Sequence, residues 1–139
     1  MIVGLDHISI AVPSLESAIQ RFAEDFSCKL EGVEEVAEAQ TVTAFFEIAG
    51  TKIELVHPMG EQGPIAKYLR KHRGGLHHLC FRSDDIEQDI ADLKAKGYEF
   101  VNESPQPGAH GSRVVFIHPR SCDGVLIEIA QHADDAVNS

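Results

Sequence analysis

The chain contains no tryptophan, only three cysteines in 139 residues and no long hydrophobic run. No apolar stretch approaches the ~20 residues that a membrane-spanning helix requires, so we expect no membrane span. An odd number of cysteines without a C-x-x-C pair argues against a disulfide framework. The N-terminus also lacks a secretory signal pattern, and we therefore expect a cytoplasmic location by default.

Basic charge is scarce as well. Twelve Lys and Arg residues stand against 22 Asp and Glu residues, which gives a formal net charge of −10. This balance argues against a nucleic-acid-binding protein held by phosphate contacts. The segment 67–73 is an exception, with four basic residues in seven positions. It is either the polar face of a short helix or a patch that contacts the phosphates of a large anionic substrate.

The chain does contain one pattern twice. His7 and His78 are 71 residues apart in matching segments, and Glu54 and Glu128 are 74 residues apart in another matching pair. The matching segments are 5–12 with 76–83, and 50–56 with 124–130. Each half therefore carries one histidine on an early strand and one glutamate on a late strand.

Periodicity and turn residues predict the order β-α-β-β-β in both halves. In the first half, strands are predicted at 3–12, 29–36, 41–48 and 51–57, with a helix after a Ser14 cap. In the second half, strands are predicted at 76–82, 98–102, 112–117 and 124–130, with a helix over 84–96 that is capped by Asp84 and ended by Gly97. A further short helix is predicted at 64–72.

These elements predict an α+β fold. We expect two tandem βαβββ modules to form a curled, cup-like mixed sheet around a metal site, with the helices outside. The whole chain, 1–139, is interpreted as one domain. Its parts are module one at about 1–57, a linker at about 58–75, module two at about 76–132 and a polar tail at 133–139.

The repeated residues are candidate metal ligands. An ionised carboxylate facing an apolar interior is costly unless it is paired or bound to a metal, although either glutamate could instead point to water from an edge strand. Their recurrence favours the metal interpretation. Two imidazoles and two carboxylates without a thiolate disfavour a structural zinc site and suit Co²⁺, Mn²⁺, Ni²⁺, Zn²⁺ or Fe²⁺. The unrepeated histidines are expected at the surface or in turns: His57, His72, His118 and His132.

Around these residues the chain resembles the vicinal-oxygen-chelate superfamily of glyoxalases, bleomycin-resistance proteins and dioxygenases. Within that superfamily it is most similar to the methylmalonyl-CoA epimerases. The segments that carry the closer resemblance are 5–13, 51–58, 64–66, 74–78, 108–111, 116–119 and 124–128.

This resemblance implies a metal-dependent epimerase of methylmalonyl-CoA or a similar 2-substituted acyl-CoA. The family's reaction abstracts the α-proton and passes through a metal-stabilised enolate. It further implies an acyl-CoA as the small-molecule substrate, a homodimer, and a divalent ion that is Co²⁺ first and Zn²⁺, Mn²⁺ or Ni²⁺ next. The metal ligands that it implies are His7, Glu54, His78 and Glu128.

The resemblance also bears on the catalytic bases. Glu128 is the first candidate. Some epimerases of this type have a separate acid on the strand before the first glutamate, but the matching stretch 41–44 contains none. Glu54 or Glu47 therefore remains as the second base. Candidate substrate-binding residues are Lys67, Arg70, Lys71, His110 and Arg113.

Other functions on the same scaffold stay open. A glyoxalase I-type lactoylglutathione lyase would use the same kind of metal shell and the same enolate chemistry. A non-catalytic binding protein would not need all four ligands, and an extradiol dioxygenase would leave Glu54 without a role. Turnover of methylglyoxal with glutathione, compared with methylmalonyl-CoA, separates the lyase from the epimerase.

Overall fold

The computed structural model describes residues 1–135, which form two compact units. The first half is His7–His77. The second half combines Met1–Asp6 with the chain from His78 onward. The end of the predicted tail, residues 136–139, lies outside the described residues.

Backbone and side-chain contacts explain why the first six residues belong to the second half. The Asp84 amide donates a hydrogen bond to the Met1 carbonyl over 3.2 Å. The Asp6 carboxylate lies 2.7 Å from Nε2 of His132, which follows the last strand. The N-terminal residues therefore group with the C-terminal part of the chain, whereas the sequence assigned them to module one.

The first half contains a four-stranded mixed sheet in the order β2-β3-β4-β1, in which β1 and β4 are parallel. Its strands are β1 (Ile2–Ala11), β2 (Leu30–Val36), β3 (Thr41–Ile48) and β4 (Thr51–Pro58). Helix α1 (Leu15–Gln20) follows β1 and continues into a π-helical segment (Arg21–Asp25). As predicted, Ser14 caps α1, because its hydroxyl accepts from the Ser17 amide.

Two helices cover opposite faces of this sheet. Helix α1 packs through Ala18 on a core that includes Phe46 and Leu55, both fully buried. Helix α2 (Pro64–Lys71) packs through Ile65 on the other face, against Ala11 and Val56.

The second half repeats the arrangement with the order β5-β8-β7-β6, and here β5 and β8 are the parallel pair. Its strands are β5 (Gly75–Ser83), β6 (Gln106–Pro107), β7 (Arg113–Ile117) and β8 (Ile127–Gln131), and its helix is α3 (Ile86–Ala95). Helix α3 packs through Ile86 and Ile90 against Val115 and Ile129.

One predicted strand and one predicted helix cap were wrong. The segment 98–102 forms only an isolated bridge between Phe100 and Ile117. The ladder stops there because the Asn102 side chain, rather than a backbone carbonyl, accepts from the Phe116 amide. The cap of α3 is Asp85, whose carboxylate accepts from Gln88, and not Asp84.

The α+β class and the two tandem modules are confirmed. Local sequence patterns decided most boundaries, because alternating apolar residues and turn residues mark the strand ends. None of the described helices is long and apolar enough to cross a membrane.

Candidate active site

In the first half, four side chains share the sheet face opposite α1. Strand alternation places His7 and Ser9 of β1 on this face, whereas Ile10 faces α1. Ser9 is the register partner of Glu54 on the parallel side, and Phe45 is its partner on the antiparallel side. We call this surface, defined by His7, Ser9, Phe45 and Glu54, the first His–Glu face.

The histidine and the glutamate of this face form a buried pair. Nδ1 of His7 lies 2.9 Å from Oε2 of Glu54, and their side chains are only 6% and 11% exposed. An isolated carboxylate at this depth is costly, and the adjacent imidazole offsets that cost. The glutamate therefore does not point to water, which was the alternative interpretation of its sequence position.

The second half builds the same arrangement. Nε2 of His78 lies 3.0 Å from Oε1 of Glu128, with side-chain exposures of 9% and 8%. Cys80 and Phe116 are the two register partners of Glu128. The His78 ring also packs edge-on against Phe116, with 5.4 Å between ring centroids. We call the surface defined by His78, Cys80, Phe116 and Glu128 the second His–Glu face.

The structure therefore extends the repeat beyond the four predicted ligands. Ser9 and Cys80 are 71 residues apart, and so are Phe45 and Phe116. Both offsets equal the spacing of the two histidines. Sequence reasoning missed these pairs because their residue types carry no obvious metal chemistry, although the common offset was a usable signal.

The two small residues of the faces differ in their hydrogen bonding. Ser9 is fully buried, and its hydroxyl has no hydrogen-bond partner among residues 1–135. Cys80 is equally buried, but its thiol donates to the Phe81 carbonyl over 3.6 Å. Leaving a buried donor unsatisfied costs about 1–3 kcal/mol, so Ser9 is an exception among well-packed polar groups.

The donor set fits a divalent metal ion. Each half offers one imidazole nitrogen and one carboxylate oxygen that already face each other in a buried setting. Imidazole and carboxylate donors without thiolate suit intermediate first-row ions rather than a structural zinc site. The buried Ser9 hydroxyl, which has no hydrogen-bond partner among the described residues, is a further polar group that could donate to a carboxylate ligand of such an ion.

The candidate second bases lie in different environments. Glu47 is two residues beyond Phe45 on β3, so alternation places it on the first His–Glu face, but it is exposed and its register partner is Lys52. Glu54 is buried beside His7. The stretch 41–44, which contains no acid, contributes Thr41 and Thr43 as buried residues.

The candidate substrate-binding residues divide into three groups. Lys67, Arg70 and Lys71 are exposed on α2, whose Ile65 packs on the first His–Glu face side of the sheet. The Arg70 guanidinium donates to the Glu61 carbonyl over 2.8 Å, which ties the preceding loop to this helix.

The other two candidates belong to the second half. Arg113 is exposed on the α3 side of its sheet, opposite the face of Glu128, and pairs there with Glu87. The Arg113 guanidinium lowers the pKa of the Glu87 carboxyl through their hydrogen bond. His110 is exposed in a short turn with a positive φ of 56°. The structure therefore does not bring Arg113 to the second His–Glu face.

The Gly108–Gly111 motif has a packing reason. A Cβ on Gly108 would lie 2.7 Å from both the Ser112 hydroxyl and a Val114 methyl group. Gly111 has a φ of +71°, which favours glycine. The motif thus lets the turn lie directly against the start of β7.

Two of the unrepeated histidines are not surface or turn residues, and that prediction was wrong for them. His57 lies within β4 and its Nδ1 donates to the Val12 carbonyl over 2.9 Å. His132 is half-buried against Asp6. Nearby, Asp135 binds Arg82 through two hydrogen bonds of 2.6 and 2.8 Å, and this contact lowers the pKa of Asp135.

A sequence model of the Glyoxalase/Bleomycin resistance protein/Dioxygenase superfamily matches residues 6–116. The chain belongs to that superfamily. The expected resemblance is thereby confirmed at the level of the family.

Within the superfamily, the chain is similar to methylmalonyl-CoA epimerases. It is 38% identical over 128 residues to the mitochondrial methylmalonyl-CoA epimerase of Homo sapiens, covering 91% of this chain and 73% of the relative. It is 37% identical to the ethylmalonyl-CoA/methylmalonyl-CoA epimerase of Cereibacter sphaeroides, covering 94% of this chain and 99% of the relative.

Solved structures agree with this likeness. The methylmalonyl-CoA epimerase of Mycobacterium tuberculosis superposes with a TM-score of 0.91 at 32% identity, covering 95% of this chain and 89% of the other. A methylmalonyl-CoA epimerase in complex with methylmalonyl-CoA and NH4+ gives a TM-score of 0.92 at 28% identity, covering 98% and 99% of the two chains. The chain is thus an epimerase-like member of its superfamily.

Proposed function

We propose that this chain is a metal-dependent epimerase of methylmalonyl-CoA or a similar 2-substituted acyl-CoA. The observation that carries the proposal is the buried His–Glu pair that recurs at equivalent strand positions in both halves. Support comes from the epimerase relatives, one of which has been solved with methylmalonyl-CoA bound.

In this proposal the two pairs together bind one divalent ion. The ligands are His7, Glu54, His78 and Glu128, and Co²⁺ is the first candidate ion, before Zn²⁺, Mn²⁺ and Ni²⁺. When bound, the ion supplies Lewis-acid stabilisation of the negative charge that develops on the substrate oxygens. We also expect the enzyme to be a homodimer, which analytical ultracentrifugation would test.

The protein's own part is to move the proton. Epimerisation removes the proton α to a thioester and returns one to the opposite face, so it needs a base on each side. We assign Glu128 as one base and favour Glu54 over Glu47 as the other, because Glu54 is buried beside its histidine whereas Glu47 is exposed. Phe45 and Phe116 flank the two buried carboxylates and limit their contact with water.

Substrate binding would fall mainly to α2. Its exposed cations, Lys67, Arg70 and Lys71, suit the phosphates of a CoA group. Because α2 packs through Ile65 on the same sheet face as His7 and Glu54, a CoA held there would have its acyl end directed along that face. His110 stays a candidate contact from the second half, and Arg113 is left out because Glu87 already binds it.

The test is α-proton exchange in D₂O. Protein reconstituted with Co²⁺ is incubated with methylmalonyl-CoA, and deuterium at the α-carbon is followed by mass spectrometry. We expect deuterium uptake together with loss of stereochemical purity, and a fall of about 10²-fold or more after chelation. Methylglyoxal with glutathione serves as the parallel substrate for the lyase alternative.

The number of metal ions bound per chain is measured as well, because it tests whether the two pairs share one ion. One ion per chain is expected if the two pairs share an ion. Two ions per chain would contradict the shared site, and no bound ion would contradict metal dependence. If the protein turned over methylglyoxal with glutathione but did not exchange the α-proton of any acyl-CoA, the lyase would be the correct function and the epimerase proposal would be wrong.

A further inference from the structure

The buried Ser9 hydroxyl is a polar group of the first His–Glu face that the mechanism above does not use. It is 0% exposed and has no hydrogen-bond partner among the described residues. Alanine at this position would fill nearly the same space without burying an unsatisfied donor. A buried serine in this arrangement is therefore costly, and its hydroxyl needs a partner in another state of the site.

We propose that Ser9 is a positioning residue that donates a hydrogen bond to the Glu54 carboxylate when a divalent ion is bound. The inference rests on the proposed metal site. Oε2 of Glu54 lies 2.9 Å from Nδ1 of His7. An ion held by both residues would take the place of the proton between them, so the carboxylate would lose the imidazole as its hydrogen-bond partner. Carboxylates that bind metals are usually held by a further hydrogen bond.

The strand register makes Ser9 the natural donor for that bond. Ser9 and Glu54 are Cα partners in the parallel β1–β4 pair, and both side chains lie on the same face. Neighbouring strands are about 4.8 Å apart, so a hydroxyl opposite a carboxylate needs only side-chain rotation to reach it. His7 lies two residues earlier on the same strand. The Glu54 carboxylate would therefore exchange one hydrogen-bond partner on β1, His7, for another, Ser9.

The second half provides an internal comparison. Cys80 holds the position equivalent to Ser9 beside Glu128, but its thiol already donates to the Phe81 carbonyl. A thiol is also a weaker donor than a hydroxyl. The proposed transfer of the hydrogen bond therefore belongs to the first half alone, and the two faces hold their glutamates differently.

The experiment compares matched truncations, Ser9→Ala and Cys80→Ala, by two measurements. Co²⁺ affinity is measured by competition with a chelator, and the melting temperature is measured in excess EDTA. We expect Ser9→Ala to weaken Co²⁺ binding by about 10-fold while the melting temperature without metal stays equal or rises. Cys80→Ala should leave Co²⁺ affinity within about threefold of wild type, because its thiol has another partner.

Four results would overturn the proposal. Ser9→Ala could bind Co²⁺ as tightly as wild type, or it could lower the metal-free melting temperature, which would mark the hydroxyl as a structural group. Equal losses of affinity in the two variants would show no difference between the faces. A wild-type chain that binds no Co²⁺ would overturn the metal site itself, and this outcome is visible before any variant is compared.

Discussion

The two His–Glu faces share their strand positions and differ in what surrounds them. His7 presents Nδ1 to its glutamate, whereas His78 presents Nε2. The serine beside Glu54 has no hydrogen-bond partner within residues 1–135, whereas the thiol beside Glu128 has an acceptor. The repeat thus preserves the donors and the aromatic neighbours, while the small residue beside each glutamate differs in type and in its own hydrogen bonding.

The surroundings of the faces differ on a larger scale as well. Helix α2 packs on the first His–Glu face side of its sheet through Ile65. In the second half, Arg82 follows Cys80 by two residues on the same strand face and is held by Asp135 from the C-terminal turn. The first half thus carries exposed cations on the helix that packs on this side of its sheet, whereas Arg82 of the second half is held by an acid.

The largest expected effect comes from exchanging the glutamates one at a time. Glu128→Gln and Glu54→Gln should each reduce epimerisation by about 10²–10⁴-fold, because each removes one of two bases. Each variant should still exchange the α-proton of only one substrate enantiomer, and the enantiomer should differ between the two variants. Mass spectrometry of the separate R and S substrates in D₂O measures this.

Glu35→Gln is the matched control for the glutamates, since this residue is exposed on the edge strand β2. Its rate should equal that of wild type. Metal content is measured for every variant, so that loss of the ion is separated from loss of a base. If Glu128→Gln exchanged the α-proton of both enantiomers at the wild-type rate, Glu128 would not be a catalytic base.

A smaller effect is expected when the cores beneath the two faces are truncated. Leu55 and Ile129 each follow a glutamate of the site and point to the helix side of their sheets, where they are 0% and 1% exposed. Leu55→Ala and Ile129→Ala should each lower the free energy of unfolding by about 2–5 kcal/mol. Urea denaturation measures this free energy. A loss below about 1 kcal/mol in one variant would show that the core around the truncated residue is the less tightly packed of the two.

The smallest expected effect concerns the Arg82–Asp135 pair, which has no counterpart in the first half. Asp135→Asn should cost about 0.2–1 kcal/mol at neutral pH, because Arg82 is partly exposed. The pKa of Asp135 is lowered in the folded protein, so its stabilisation is present above the unfolded-state pKa and is lost as pH falls through the folded-state pKa. Melting temperatures from pH 7 to 2.5 test this, with exposed Asp134→Asn as the control, and a difference that persists at the acid end would contradict it.

The sequence by itself determined the repeat, most of the strand order and the two His–Glu pairs. These are local or periodic properties: alternation predicts strands, and equal offsets identify equivalent positions in the two halves. The predicted strand at 98–102 failed for a reason that no local pattern carries, since the Asn102 side chain takes the place of a backbone acceptor.

Only the tertiary structure decided which side chains stand next to the glutamates. Ser9 and Phe45 are 45 and 9 residues from Glu54 in the chain, and strand register alone makes them its neighbours. In the part of the chain that the structure describes, the buried Ser9 hydroxyl has no acceptor, whereas the Cys80 thiol has one. Residue type and spacing establish which groups can bind a metal ion, but hydrogen bonding depends on distances of a few tenths of an ångström, which only packing sets.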